Sequence, residues 1–301
     1  MIYSHILSAL KPQNTSAMNR FIALIITSLA LSAAYPQQQY TFSGTESFWS
    51  TNSFPNTSDE SEVGNDVAAN DSLVAIVLNH TGENLRVDGV GQSVSATNNG
   101  SLLVFDNEGT FLYERSDLIY SSGTDAVTAD QVLFDLQGNI VVAGTFTGST
   151  VNVGLESLSQ SANMATFVVK YDINGDVIWG TVLESSDTVE MNSLDIDSQG
   201  NLIMAGRFQG SGFSVGTDNI TSKGEFDGFV ASLDADGNGN WVSGVGNELD
   251  DGIYDVFVTP EDSILIAGAF SSDTLFVEND TLVNGSNTSG GYEGLAMSFD
   301  G

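Results

Sequence analysis

The densest ligand-like pattern in the chain is DADGNGNW, where Asp234, Asp236, Asn238 and Gly239 satisfy the opening D-x-[DN]-x-[DN]-G of a calcium loop. Such a loop ends in a bidentate glutamate at its twelfth position, and Val245 stands there. The same stretch aligns with Asp172–Gly175, DING, which reads as a hairpin turn whose glycine supplies a positive φ. A turn is therefore the reading the spacing favours. His80, expected in a surface loop, LNHTGEN, after a second strand, is the single imidazole beyond residue 34, because the other histidine is His5. It has the chemistry of a general base, and the members of a Ser-His-Asp arrangement meet only in the fold, but no G-x-S-x-G elbow frames a nucleophile. With no cysteine in the chain, thiolate metal sites and cysteine nucleophiles are excluded. Carboxylates at a glycosidase-like separation arise by chance in a chain with 39 acids. Asn56, Asn79 and Asn219 head glycosylation sequons that an Asn/Ser/Thr-rich composition produces freely.

One acidic distribution rises above that background. TSDESE at 57–62, ESSDTVE at 184–190 and NELDD at 247–251 carry nine acids in 18 positions, about three times the density over residues 35–301 as a whole. The residues are Asp59, Glu60, Glu62, Glu184, Asp187, Glu190, Glu248, Asp250 and Asp251. Two chemistries suit them. They form a solvated, mutually repelling face, or a site for a hard cation such as Ca2+ or for a basic partner, since carboxylate oxygens ligate hard divalent ions and a like-signed face steers opposite charge. The equivalent stretch at 117–130 is weaker, with Asp117, Asp125 and Asp130.

The elements that would hold these loops repeat. QGNIVVAGTF at 137–146, QGNLIMAGRF at 199–208 and EDSILIAGAF at 261–270 recur every 62 residues. FVVKYDINGDVIW from Phe167 and FVASLDADGNGNW from Phe229 are also 62 apart, with SLLVFDNEGTFLY from Ser101 an earlier copy and LAMSFDG a later one. Periodicity within a unit is two: Leu194 and Ile196 alternate with Ser193, Asp195 and Asp197, which marks a first strand. LIMAGRF is apolar enough to be buried on both faces, and FVVKYD and VIWGTVL supply a third and a fourth strand. Between the second and third lies a polar connection of about 20 residues punctuated by Phe213, Val215 and Ile220. Four short strands per unit and no helical period predict an all-β, β-propeller-like array of four-stranded antiparallel blades. The repeats cover roughly 63–118, 131–184, 193–246 and 253–301, the last lacking a fourth strand. Glu46–Phe54 around Trp49 has the character of an isolated fourth strand, so the ends suit either a four-bladed ring or a longer ring cut within a blade.

Ahead of the repeats, Asn19 and Arg20 precede FIALIITSLAL and the small residues Ser32, Ala33 and Ala34, the layout of a secretory signal over residues 1–34. Met18 stands directly before it, so residues 1–17 read as an over-extended start. The apolar run is shorter than the about 20 residues a spanning helix needs. The remainder, 35–301, carries five basic and 39 acidic side chains, a formal charge of −34, which disfavours nucleic acid and anionic membrane. A secreted or cell-surface setting follows.

Asp135–Phe146 and Asp197–Phe208, reading D-x-x-G-N followed by an apolar triplet and x-G-x-F, together with Phe167–Trp179, resemble the SBBP repeat family, seven-bladed β-propellers of exported bacterial proteins. The unit from Glu261 replaces the Gly-Asn pair with Asp262 and Ser263, and the unit from Asn70 replaces A-G-x-F with AIVLN. The resemblance implies a fold and an extracellular setting and no reaction. The expected function is a non-catalytic module binding a protein or glycan ligand, with a carbohydrate-active or other hydrolytic enzyme using paired carboxylates as the alternative.

Overall fold

A computed structural model describes residues 61–81, 84–87, 90–93, 99–115, 120–121, 126–153, 156–277, 280–284 and 292–299. The leader, Trp49, Asp59 and Glu60 lie outside these residues. Every described element is a strand. The first sheet contains β1 (Ser61–Ala69), β2 (Leu73–Thr81), β5 (Asn99–Asp106) and β6 (Phe111–Arg115), with the hairpin β3 (Asn84–Val87) and β4 (Val90–Ser93) between its second and third strands. After the short β7 (Tyr120–Ser121), β8 (Val127–Phe134), β9 (Ile140–Thr147), β12 (Met164–Tyr171) and β13 (Val177–Leu183) form the second blade around the hairpin β10 (Thr150–Val153) and β11 (Glu156–Ser159). The third blade is β14 (Thr188–Ile196), β15 (Leu202–Gln209), β18 (Asp227–Leu233) and β19 (Gly239–Gly246), with β16 (Phe213–Val215) and β17 (Asp218–Ile220) as its hairpin. The fourth has β20 (Asp251–Val258), β21 (Ile264–Phe270) and β24 (Glu293–Phe299), with the hairpin β22 (Thr274–Val277) and β23 (Asp280–Val283). All pairings within the blades are antiparallel, in chain order, and the first strands of successive blades pack side by side. This is the propeller-like array that the repeat predicts.

The second strands show why their sequences are apolar throughout. Side chains of a strand alternate between faces, so Ile140 and Val142 pack toward the first blade beside Val77 and Leu102, while Val141 and Ala143 pack toward the third beside Met204 and Phe229. Ile203 and Ala205 repeat the arrangement toward Val256 and Ile266 of the fourth blade. Each interior blade is therefore buried on both sides. Phe208, Phe213 and Phe229 meet at centroid separations of 5.0–6.4 Å in edge and tilted contacts, the geometry that suits the ring quadrupole.

The glycine of A-G-x-F is set by the partner strand. Gly144, Gly206 and Gly268 face Ala129, Met191 and Ile253, each immediately before a bulge in the first strand. A β-carbon on any of the three would run into first-strand backbone. The first blade, whose AIVLN lacks this glycine, places Leu78 there, and the facing residue before its bulge is Gly64. The small residue has changed strands, so the close approach survives.

Sequence periodicity missed the hairpins between second and third strands, because three or four residues per strand are too few to display a period. Phe213 and Val215 are buried in β16 and anchor it. Hairpins also lace neighbouring blades: β22 pairs with β19 through Val245 and Val277, and β10 pairs with β7.

Candidate functional site

Antiparallel order gives the blades two chemically different ends. The connections between first and second strands and between third and fourth strands emerge at one end, as tight turns. The second-to-third connections, which are long and carry the hairpins, emerge at the other, the long-loop end, together with the links to the following blade.

At the tight-turn end one carboxylate device recurs. The Oδ1 atom of Asp135 accepts the N–H groups of Gln137 and Asn139, while its Oδ2 accepts the Asn139 amide. Asp197 does the same with Gln199 and Asn201, and Asp234 with Asp236 and Asn238. The calcium-like DADGNG segment is thus a hairpin turn between β18 and β19 whose first carboxylate is engaged by the turn itself, with Gly237 at φ +83°. Hydrogen bonding to the Asn238 amide, with further N–H donors, holds the Asp234 carboxyl below its ordinary range. These turns also clamp blade to blade. Trp179 Nε1 and Lys170 Nζ both donate to the Ala235 carbonyl, at 3.1 and 2.7 Å, and Lys170 pairs with Asp135 at 2.9 Å with both side chains buried. Tyr113 and Arg115 reach the turn carbonyls of Ile173 and Asn174 in the same way. In the fourth blade, where Thr259 stands at the first position of the turn, Asp262 adopts φ +62° and binds the Ser198 N–H and hydroxyl of the preceding blade.

Carboxylates inside the first strands also join blades. Asp66 accepts the Val132 N–H at 2.9 Å and Asp195 accepts the Val258 N–H at 2.6 Å. Burial pushes both carboxyls up, against the opposing pull of those hydrogen bonds.

At the long-loop end the described acidic residues identified from sequence are engaged locally, with their own or adjoining segments. Glu184 accepts the Ser161 N–H at 2.7 Å and Asp187 accepts the Asn163 amide at 2.7 Å, both tying a link between blades to a second-to-third connection. Glu190 pairs with Arg207 at 2.6 Å. Asp251 is buried and takes the N–H groups of Asn247, Ser271 and Ser272 together with the Ser272 hydroxyl. Asp250 faces the Phe226 N–H at 3.3 Å, and the Glu248 backbone runs against Gly224. Glu62 lies in β1, in register with His80. His80 itself belongs to β2, paired also with Asn99, and not to the loop that LNHTGEN suggests. The side chains of Glu62 and His80 lie outside the described residues. Among the described residues no three His, Asp or Glu side chains come together as metal ligands.

The long-loop end also gathers residues that the repeat does not predict. Arg207 on β15 occupies the position of Thr145 and Ala269, and Tyr254 on β20 is the bulge residue where the preceding blades carry Asn65, Asp130 and Asn192. The Arg207 guanidinium lies 4.4 Å from the centroid of Phe226 while bonded to Glu190. A methyl group placed on Gly252 would lie 3.6 Å from the Tyr254 ring and 3.7 Å from the Arg207 side chain, so ring and stem flank one spot. Tyr254 and Tyr292 are 53% and 60% exposed. Burial and then the charge of Asp250 raise the Tyr292 hydroxyl above its ordinary value. Directly below, Asp227 is buried with Oδ2 on the Lys223 N–H, and desolvation followed by the Asp251 charge pushes its carboxyl up to about 6.

Sequence reading did not find Arg207, Tyr254 or Tyr292. The available signal was departure from the repeat at aligned positions, which Arg207 and Tyr254 both show.

The architecture is that of a β-propeller repeat protein. No family model matches the chain. An uncharacterised WD repeat-containing protein of Acanthamoeba polyphaga mimivirus is 27% identical over 207 residues, covering 58% of this chain and 14% of the relative. The regulatory protein FlaEY of Caulobacter vibrioides is 27% identical over 176 residues, covering 56% of this chain and 18% of that protein. The chain thus spans less than a fifth of the length of these curated relatives. Among solved structures, the WD40 domain of Neurospora crassa Pan2 aligns over 68% of this chain and 85% of its own, with 11% identity and a TM-score of 0.23.

Proposed function

We propose that this chain is an exported, non-catalytic binding module of the propeller type, presenting the long-loop end of its blades to a protein or glycan ligand. The observation that carries the reading is the division between the ends. Side chains at the tight-turn end repeat from blade to blade and are spent on the turns and on neighbouring blades, as scaffold positions are. Arg207 and Tyr254, which break the repeat, share the long-loop end with Tyr292 at one blade junction. The leader-like pattern at 19–34 and the SBBP-like repeats support export. Relatives described as WD repeat-containing or regulatory support an interaction role over a reaction.

The test is an array of peptides and oligosaccharides probed with the full chain, paired with a hydrolase substrate panel. Binding lost in Tyr254→Ala and retained in Ser198→Ala, which alters the opposite end, is the expected result. Turnover of any panel substrate that His80→Ala abolishes would overturn the module in favour of an enzyme.

A further inference from the structure

From the Tyr254–Tyr292 surface at the junction of the third and fourth blades we infer that this module takes a lysine- or arginine-bearing extended peptide segment. The inference rests on the reading of the long-loop end as the binding end and adds the chemistry of the ligand.

Two exposed phenol rings belong to a short stretch of surface whose charge is overwhelmingly negative. Asp250 lies beside Tyr292, Glu190 beside Arg207, and the acid-rich NELDD link runs through the same junction. The one guanidinium present is already spent. Arg207 donates to Glu190 at 2.6 Å and lies over Phe226, so its charge is matched and its flat face covered. Asp250 takes the long 3.3 Å contact from the Phe226 N–H and a hydrogen bond from the Tyr292 hydroxyl, which holds its charge beside that ring. The aromatic faces are exposed, and a cation over a phenol ring gains about 0.5–2 kcal/mol according to its desolvation, with a carboxylate nearby adding Coulomb attraction. The chain carries only seven basic side chains against 39 acidic ones, so charge complementarity favours a cationic occupant over a neutral or acidic one. Arg207 on Phe226 is an internal example of the contact that an incoming Lys or Arg would make on Tyr254. An acidic glycan is repelled by the same field. A neutral sugar gains the stacking without the charge.

The experiment uses the full chain and a short blocked peptide of alternating lysine and glycine, with a glutamate–glycine peptide and a neutral xylo-oligosaccharide as comparators, read by fluorescence anisotropy at low salt and at about 0.5 M salt. Binding of the lysine peptide alone is expected, weakening with salt. Tyr254→Ala and Tyr292→Ala should each weaken it about fivefold to tenfold, Tyr254→Phe should leave it within about twofold because the ring face is kept, and Asp250→Asn should weaken it and flatten the salt dependence. Both tyrosines are exposed, and unchanged melting temperatures will confirm that the variants fold. Equal affinity in Tyr254→Ala and wild type would reduce the effect to diffuse electrostatics and overturn the proposal, as would no binding of the lysine peptide. Binding of the xylo-oligosaccharide with loss in Tyr254→Ala would overturn the ligand class while leaving the long-loop end as the binding end. Lysine-peptide binding whose hydrogen-exchange protection falls on turns 197–201 and 234–238 would remove both.

Discussion

Carboxylates at the two ends of the blades have opposite fates. At the tight-turn end Asp135 and Asp197 recur in register in the first-to-second turns and Asp234 repeats the device in a third-to-fourth turn, and each is saturated by the N–H groups and the asparagine amide of its own turn. At the long-loop end the acids follow the repeat only loosely. Asp251 is satisfied by four donors, Glu190 by a guanidinium, and Asp250 by a long backbone contact and the Tyr292 hydroxyl. Repetition therefore marks structure here, and departure from repetition marks the surface on which the proposed binding role rests.

The comparison can be broken most severely at Lys170. Replacing it with alanine leaves the buried Asp135 carboxylate without its cationic partner and the Ala235 carbonyl with Trp179 Nε1 alone, a change that costs about 3–5 kcal/mol. Urea denaturation will measure it. A loss below about 1 kcal/mol, the value of an ordinary surface pair, would show that the tight-turn clamps carry little of the fold.

Asp197→Ala is the next largest. Removing three hydrogen bonds from a half-buried turn should cost about 1–2 kcal/mol, whereas the sequence-equivalent change Thr259→Ala, which removes one hydroxyl contact to Ser263, should cost less than half of that. Equal losses would mean that the aspartate device is decorative.

A smaller effect with a distinct signature is expected at Asp227. Its folded carboxyl titrates at about 6 against an ordinary 3.8. Because the folded value is raised, protonation favours the native state, and this group's contribution improves as pH falls from above 6 toward 4. Asp234, whose folded value is lowered, behaves oppositely: its stabilisation is present at neutral pH and is lost as pH falls through the acid range. Melting temperatures of wild type and Asp227→Asn should therefore converge between pH 7.5 and about 4.5, and a constant gap would exclude Asp227 as the titrating group. Smallest of all, Tyr254→Ala should change stability by less than about 0.5 kcal/mol, in contrast to its expected effect on binding.

Much of the scaffold was legible because it repeats. Period-two stretches, doubly buried LIMAGRF-type strands and Asp-x-x-Gly-Asn turns each carry a local signal, and the DADGNG segment reads as a turn because Val245 stands where a calcium loop needs its glutamate and because its copy, DING, is a hairpin turn. Three features were not legible. The exchange of Gly64 for the glycine otherwise facing the bulge depends on register, which no single strand reveals. His80 sits in β2 because NHT continues the ladder with Glu62 and Asn99, although its polar composition resembles a loop. The junction of Glu190, Arg207, Phe226, Asp250, Tyr254 and Tyr292 is drawn from six separate places across two blades, and sequence neighbours of each are unremarkable.

Repeat arrays are usually treated as chains of nearly independent units whose stabilities add. Here β22 of the fourth blade hydrogen-bonds to β19 of the third, and β12 of the second touches β14 of the third through Met164 and Thr188. A blade cannot open without breaking a ladder that belongs to its neighbour. Exchange of deep amides such as those of Val168, Met204 and Val230 should then report one shared opening event and not three local ones, so the array would respond to stress as a single woven sheet in which damage to one blade is felt by the next.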